Sequence, residues 1–242
     1  MSRPSALVVT GPGTNRDRDV VFALDLAGAE AATVDVAQLA GHPALLDEAR
    51  IAVVAGGFSY GDALGAGRLL ALDLTAAHGG HLGEALRAFV TSGRPVIGIC
   101  NGFQVLTRAG LLPGALGHND HGRFDCRWVT LAPVAGSRSI WLDDNADEIH
   151  CPIAHGEGRY VHPDPAALAA NGQVAFHYSG ANPNGSIDAI AGVSDESGLV
   201  LGLMPHPENH VIVRQHPRYR HDPDTARHLG LRVFEAAVRH VK

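Results

Sequence analysis

PVIGICNGFQVL, Pro95 to Leu106, starts as a continuous apolar run and changes pattern at a single cysteine. Val96, Ile97 and Ile99, bounded by proline and glycine, read as a strand buried on both faces. The residues from Asn101 onward read as a helix of about two and a half turns at 3.6 residues per turn, closed by Gly110. Cys100 sits at the join. Two similar units lie upstream: ALVVT (Ala6 to Thr10) before GPG, and IAVVA (Ile51 to Ala55) before Gly56-Gly57. Arg18 to Glu30 fits a crossover helix after the first strand, and His81 to Pro95 fits a helix before the third, with Leu82, Leu86 and Phe89 inward and Ser92-Gly93 as its stop. Strands alternating with helices predict a parallel sheet in an α/β fold. Beyond Leu111 the runs become shorter and alternate, as strands and hairpins do, and helix is expected again only from Asp224 to Val241. No linker or repeat divides the chain, so residues 1–242 are read as one domain.

At 242 residues, folding buries roughly 70 to 75 % of the unfolded chain's surface, enough for a sizeable core. With 45 % hydrophobic and 18 % charged residues, the composition is that of a globular protein. The formal charge of −6, without a dense Lys/Arg cluster, argues against nucleic acid or an acidic membrane as partner and toward a small molecule or a protein. No signal-like start and no apolar run near ~20 residues is present, which predicts a cytoplasmic protein. Cys100, Cys126 and Cys151 are too scattered for a disulfide framework or a CxxC metal site. Cys126 reads as structural, and Cys151 has no assignment.

Gly98-Ile99-Cys100-Asn101-Gly102 has the spacing of a nucleophile elbow with cysteine in place of serine. The positive end of the following helix faces the thiol and favours its anionic form. Read alone, the pentapeptide fits a nucleophile or a small buried residue ending a strand. A thiolate acting on an amide needs a proton donor, and one of the 15 histidines stands out. His206 follows the apolar run Leu199 to Met204 and lies between Pro205 and Pro207, which hold the segment extended. In extended chain, residues two apart point the same way at roughly 6.5 to 7 Å, so Glu208 can orient the His206 imidazole. Gly56 and Gly57, at a strand end, let backbone N–H groups approach an oxyanion; a simple turn is the alternative. The loop lacks the lysine of a phosphate loop, and GPGTNR (Gly11 to Arg16) lacks the third glycine of a dinucleotide fingerprint. His118, His121, His150, Cys151, His155, His216 and His221 do not have zinc-site spacing, so no metal is expected.

A cysteine elbow, a Gly-Gly loop and His-Pro-Glu near the end together resemble the triad (class I) glutamine amidotransferases. GGFSYGD, GICNGFQVL, LLPGAL, AHGEGRY, NPNGS and GLMPHPE, spread over most of the chain, are similar to the glutaminase subunits of phosphoribosylformylglycinamidine synthase. The resemblance implies a flavodoxin-like three-layer α/β domain with a largely parallel central sheet and a smaller antiparallel region. It implies that Cys100 attacks the side-chain amide of L-glutamine, that His206 transfers protons, and that Glu208 orients His206. The oxyanion would lie between the N–H groups of Gly57 and Asn101, with Gln104 helping to hold glutamine. AHGEGRY marks the purine branch without individual residue roles. The chain has no recognisable ATP site. The resemblance places ATP and Mg on a large synthase subunit, accompanied by a small accessory subunit, which uses the ammonia to convert formylglycinamide ribonucleotide to the amidine. Service to another synthase, or a non-catalytic regulatory role, are the competing readings.

The chain departs from the family pattern in places. Arg16 stands where a cysteine is frequent, and GDALGAG (Gly61 to Gly67) replaces GDYLRAG. The His/Pro-rich segment 209–225 is long and reads as either a partner-facing loop or a solvated insertion.

Overall fold

The computed structural model describes residues 2–76, 80–143 and 147–242. The first strand, β1 (Ser5–Thr10), leads into α1 (Asp17–Ala27), which buries Val20, Ala23 and Leu24, and Gly28 ends the helix in left-handed conformation at φ 94°. A strand absent from the sequence reading follows, β2 (Glu30–Asp35), whose pairing with β1 is parallel. Val34 alone of its residues is buried, so this edge strand carries no apolar run. The Asp35 side chain then accepts a hydrogen bond from Ala37 N–H and starts α2 (Val36–Gly41); a single turn, α3 (Leu45–Glu48), precedes β3 (Ile51–Val54). The apolar runs read as second and third strands are therefore the third and fourth. After α4 (Arg68–Thr75) and α5 (His81–Thr91) comes β4 (Val96–Ile99), and β3 and β4 are buried along their whole length, which is why they read as continuous apolar runs.

Cys100 separates β4 from α6 (Asn101–Arg108). The second half adds β5 (Ala115–Gly117), β6 (Asp125–Pro133), β7 (Ile149–His155) and β8 (Arg159–Val161), then a helix not expected from sequence, α7 (Pro165–Ala170). Asp164 caps α7 through Ala167 N–H and Pro165 opens it. Then come β9 (Val174–Ser179), β10 (Ile190–Ser194), β11 (Val200–Leu203) and α8 (Leu231–His240). The expected helix from Asp224 begins with a 3₁₀ turn over Pro223–Arg227 and becomes α-helical only at Leu231.

Among the described residues the main sheet has the order β2-β1-β3-β4-β11-β10-β9-β6-β7, and β5 pairs with β8 in a separate antiparallel ribbon. From β2 to β11 all neighbours are parallel; from β11 onward they are antiparallel. This is the α/β architecture implied by the sequence. Because β2 and β3 flank β1 on opposite sides, right-handed crossovers carry α1 and the α2-α3 segment to opposite faces. The reversal opens a crevice at the strand carboxyl ends between β1 and β3, beside the end of β4.

Segment 209–225 is anchored on the fold rather than solvated throughout, while Arg214, Pro217, Arg218, Arg220 and His221 on it stay exposed. It buries His210, Val211, His216 and Thr225, and the His210 Nδ1–H donates to His150 O at 2.7 Å. The Trp128 ring stands edge-on to His216 with centroids 4.5 Å apart, so the segment covers the outer strands β6 and β7. Cys126 is exposed on β6 and has no part in the core. Cys151 is fully buried on β7, where burial, and then the charge of Glu208, push its thiol well above the ordinary range.

Candidate active site

The strand-to-helix turn holds Cys100 at φ 51°, ψ −104°, a conformation that costs an L-residue of order 1 to 3 kcal/mol. Its N–H donates to Leu203 O at 2.7 Å, tying the turn to the end of β11. Both elbow glycines are obligatory for steric reasons. A Cβ on Gly98 would lie 2.4 Å from Gly102 O, and one on Gly102 would lie 2.0 Å from Val54 O. The close crossing of α6 over β3 and β4 therefore fixes where the sulfur sits. The Cys100 Sγ faces Ala154 O on β7 at 3.9 Å.

His206 and Glu208 lie just past β11, but not in the extended run expected from Pro205 and Pro207: His206 has φ −105°, ψ 85°, and Glu208 sits in a 3₁₀ turn over Pro207–Asn209. The His206 Nδ1 is 2.6 Å from Glu208 Oε1, and both side chains are almost fully buried. The His206 N–H donates to Pro152 O at 2.9 Å, anchoring the turn on β7. Burial disfavours the charged ring, but the negative charges of Glu208 and then of Cys100 outweigh it, so the imidazole holds its proton well above the usual 6.5. The structure thus brings Cys100, His206 and Glu208 together from two neighbouring parallel strands.

Gly56 and Gly57 close the opposite side. A Cβ on Gly56 would stand 2.9 Å from His206 Cε1, so the loop lies directly against the ring. Gly57 has φ 142° and bridges to Thr14, with Asn15 N 2.7 Å from where a Cβ would be. The Asn15 and Arg16 N–H groups donate to Gly56 O at 3.4 and 3.2 Å, and Arg16 pairs with Asp19 at 3.2 Å. Arginine in place of the frequent cysteine is thus accommodated at the start of α1.

Asn101 and Gln104 are buried on the first turn of α6. The Asn101 side-chain oxygen accepts from Ser59 N–H at 3.3 Å, and its amide donates to Gln104 Oε1 at 2.9 Å and Asp62 Oδ1 at 3.5 Å. Gln104 Nε2 donates to Glu157 O at 2.6 Å. The Gln104 amide therefore spans two structural neighbours. A cavity of about 190 Å³ opens beside Cys100, lined also by Gly57, Asp62, Gln104, His155 and Glu157.

His155, Asp62 and Glu157 were not singled out as site residues by sequence reasoning, although AHGEGRY contains two of them. His155 is buried, and its ring covers Gly158, where a Cβ would clash at 2.2 Å. Asn119 donates to Arg123 O and His155 O, so its Oδ1 is the acceptor for both Gly158 N–H and His155 Nδ1. That fixes the proton on Nδ1 and leaves Nε2 as an acceptor without a partner. Burial, and then the charge of His206, push the His155 pKa down to about 4. His118 lines the cavity, whereas His150 on β7 packs against His216 of the 209–225 segment, with ring centroids 6.0 Å apart. Among the described residues no three His, Cys, Asp or Glu side chains converge as metal ligands. No helix among them is long and apolar enough to cross a membrane.

Comparisons with known proteins bear on this geometry. The family model for the CobB/CobQ-like glutamine amidotransferase domain matches residues 3–241. A phosphoribosylformylglycinamidine synthase subunit PurQ from Treponema denticola is 41 % identical, covering 99 % of both chains. A PurQ subunit from Nocardia farcinica is 46 % identical over 84 % of this chain and 86 % of its own. Among solved structures, a chain of PurLQS from Thermotoga maritima superposes with a TM-score of 0.79 at 35 % identity, covering 99 % of this chain and all of that one. A glutamine amidotransferase from Thermotoga maritima shares the fold at 15 % identity and a TM-score of 0.57, covering 100 % of both chains. The chain belongs to the CobB/CobQ-like glutamine amidotransferase family and, within it, to the PurQ subunits of phosphoribosylformylglycinamidine synthase.

Proposed function

We propose that residues 1–242 form one glutaminase domain that hydrolyses L-glutamine through Cys100, His206 and Glu208. Its ammonia feeds the synthase subunit that converts formylglycinamide ribonucleotide to formylglycinamidine ribonucleotide in purine synthesis. Family membership supports the reaction, and the observation that carries the residue assignment is the buried His206–Glu208 contact at 2.6 Å beside Cys100. With Nδ1 engaged by the carboxylate, Nε2 is the ring nitrogen left to exchange a proton.

In this mechanism the Cys100 thiolate attacks the side-chain carbonyl carbon of glutamine, and the carbonyl oxygen becomes an oxyanion. The N–H groups of Gly57 and Asn101 stabilise that charge. The His206 imidazolium gives its proton to the departing nitrogen, ammonia leaves, and a glutamyl thioester remains. Neutral His206 then takes a proton from water as the hydroxyl adds to the thioester; collapse releases glutamate and restores the thiolate–imidazolium pair. Glutamine and water are consumed, and glutamate and ammonia are formed.

The likeness to a chain of PurLQS supports assembly with a synthase subunit; in the same reading a small accessory subunit completes the complex, ATP and Mg are used on the synthase, and the complex works in the cytoplasm. The test is a Cys100→Ala protein, assayed with its synthase. Glutamine hydrolysis should fall on the order of a thousandfold or more while the complex still runs on added ammonium. Full glutaminase activity in that variant would remove Cys100 from the reaction.

A further inference from the structure

We infer that Asp62 and Glu157 bind the α-ammonium group of substrate glutamine and set the selectivity of the cavity for it. This clamp presupposes the glutaminase chemistry of Cys100. Glutamine carries its reactive amide at one end and its charged head at the other. With the amide at Cys100, the head must meet the side chains that line the rest of the 190 Å³ cavity. Asp62 and Glu157 are the carboxylates among those lining residues, and His155 there is neutral at ordinary pH.

The charge balance of this end is incomplete without a cation. Glu157 has Arg108 at 3.9 Å, and its oxygens face Ala66 N–H at 3.4 Å. Asp62 has no basic partner among the described residues and takes only the Asn101 amide, at 3.5 Å. Burial, and then the charge of Glu157, raise the Asp62 pKa above the ordinary carboxylate value. One guanidinium thus serves two carboxylates, and a ligand ammonium supplies the missing positive charge. Gln104 supports the same arrangement as a positioning residue. Its amide bridges Asn101, which reaches Asp62, and the Glu157 backbone, so it braces both carboxylates.

The experiment compares L-glutamine with glutaramate, in which hydrogen replaces the α-ammonium group, using the protein in complex with its synthase. Wild type, Asp62→Asn, Glu157→Gln and Cys100→Ala are assayed for release of ammonia. A hydrogen bond to a charged group is worth roughly 1.5 to 3 kcal/mol, so each amide variant should lose on the order of tenfold to a hundredfold in kcat/KM for glutamine, mainly through KM. Activity on glutaramate should stay at the wild-type level, and the preference for glutamine should collapse. Equal losses on both substrates, or no loss on either, would overturn the clamp. Undiminished hydrolysis by Cys100→Ala would instead overturn the underlying glutaminase reading, so the two failures are separable.

Discussion

Cys100 occupies a backbone conformation that suits glycine, yet it is the residue that must carry sulfur. The strain is held by its surroundings: the N–H bond to Leu203 O, the crossing at Gly98 and Gly102, and the helix that starts at Asn101. This gives a prediction in which stability and activity diverge. Cys100→Ala keeps the strained backbone, whereas Cys100→Gly relieves roughly 1 to 3 kcal/mol of strain and gives back about 0.5 to 1 kcal/mol through the looser unfolded chain. The glycine protein should therefore be about 1 kcal/mol more stable than the alanine protein, a rise in Tm of roughly 2 to 4 °C, while both lack glutaminase activity. Equal melting temperatures would show that the elbow stores no strain.

The elbow works because an eight-residue helix, α6, lies almost in contact with the carbonyl of Val54 on β3. Phe103 on that helix stacks on Tyr160 and covers Gly202 of β11, locking α6 across the parallel strands. Gly102→Ala places a methyl group 2.0 Å from Val54 O, so α6 must lift. We predict a loss of about 3 kcal/mol by urea denaturation, together with loss of activity. Gly110→Ala, at φ 70° with open space around it, should cost only about 1 kcal/mol and leave activity intact. Comparable losses in the two variants would mean that the close crossing is not what requires Gly102. The same contrast explains which elements were legible in sequence. The strands β3 and β4 are buried on both faces and so are written in apolar residues; β2 is an exposed edge strand that buries Val34 alone, and its existence depends on pairing with β1. The short helix α7 is signalled by Asp164 and Pro165 rather than by any long apolar period. Cys100, His206 and Glu208 stand out because glycine and proline flank them. His155, Asp62 and Glu157 sit in loops or at a strand end, where only the fold reveals what they face.

Across the whole molecule, β11 (from Val200) returns next to β4 (ending at Ile99) after about two-fifths of the chain has intervened, and this return puts His206 beside Cys100. The antiparallel half then wraps β7 over the site, bringing Ala154 O to the sulfur and burying His155. The arrangement requires several histidines to stay neutral inside the fold, and that has a cost in acid. Burial is the leading cause that lowers the pKa of His155, His150, His210 and His216. Unfolded, each would take up a proton near 6.5, before its folded counterpart does. Their contribution to stability is therefore complete above about pH 6.5 and is lost as the pH falls toward the folded values. His206 has the opposite sign: its folded pKa is raised, so its contribution is full below 6.5 and fades only in alkali. Acid stability is thus set by the depressed group, and His155, with a folded value of about 4, should account for roughly 3 kcal/mol between pH 6.5 and 4. His155→Asn keeps a donor for Asn119 but removes the titration. Urea denaturation from pH 7 to 4.5 should give that variant a dependence of stability on pH that is shallower by about 1.4 kcal/mol per unit between 6 and 4.5. An unchanged slope would mean that His155 takes up its proton without opening the fold.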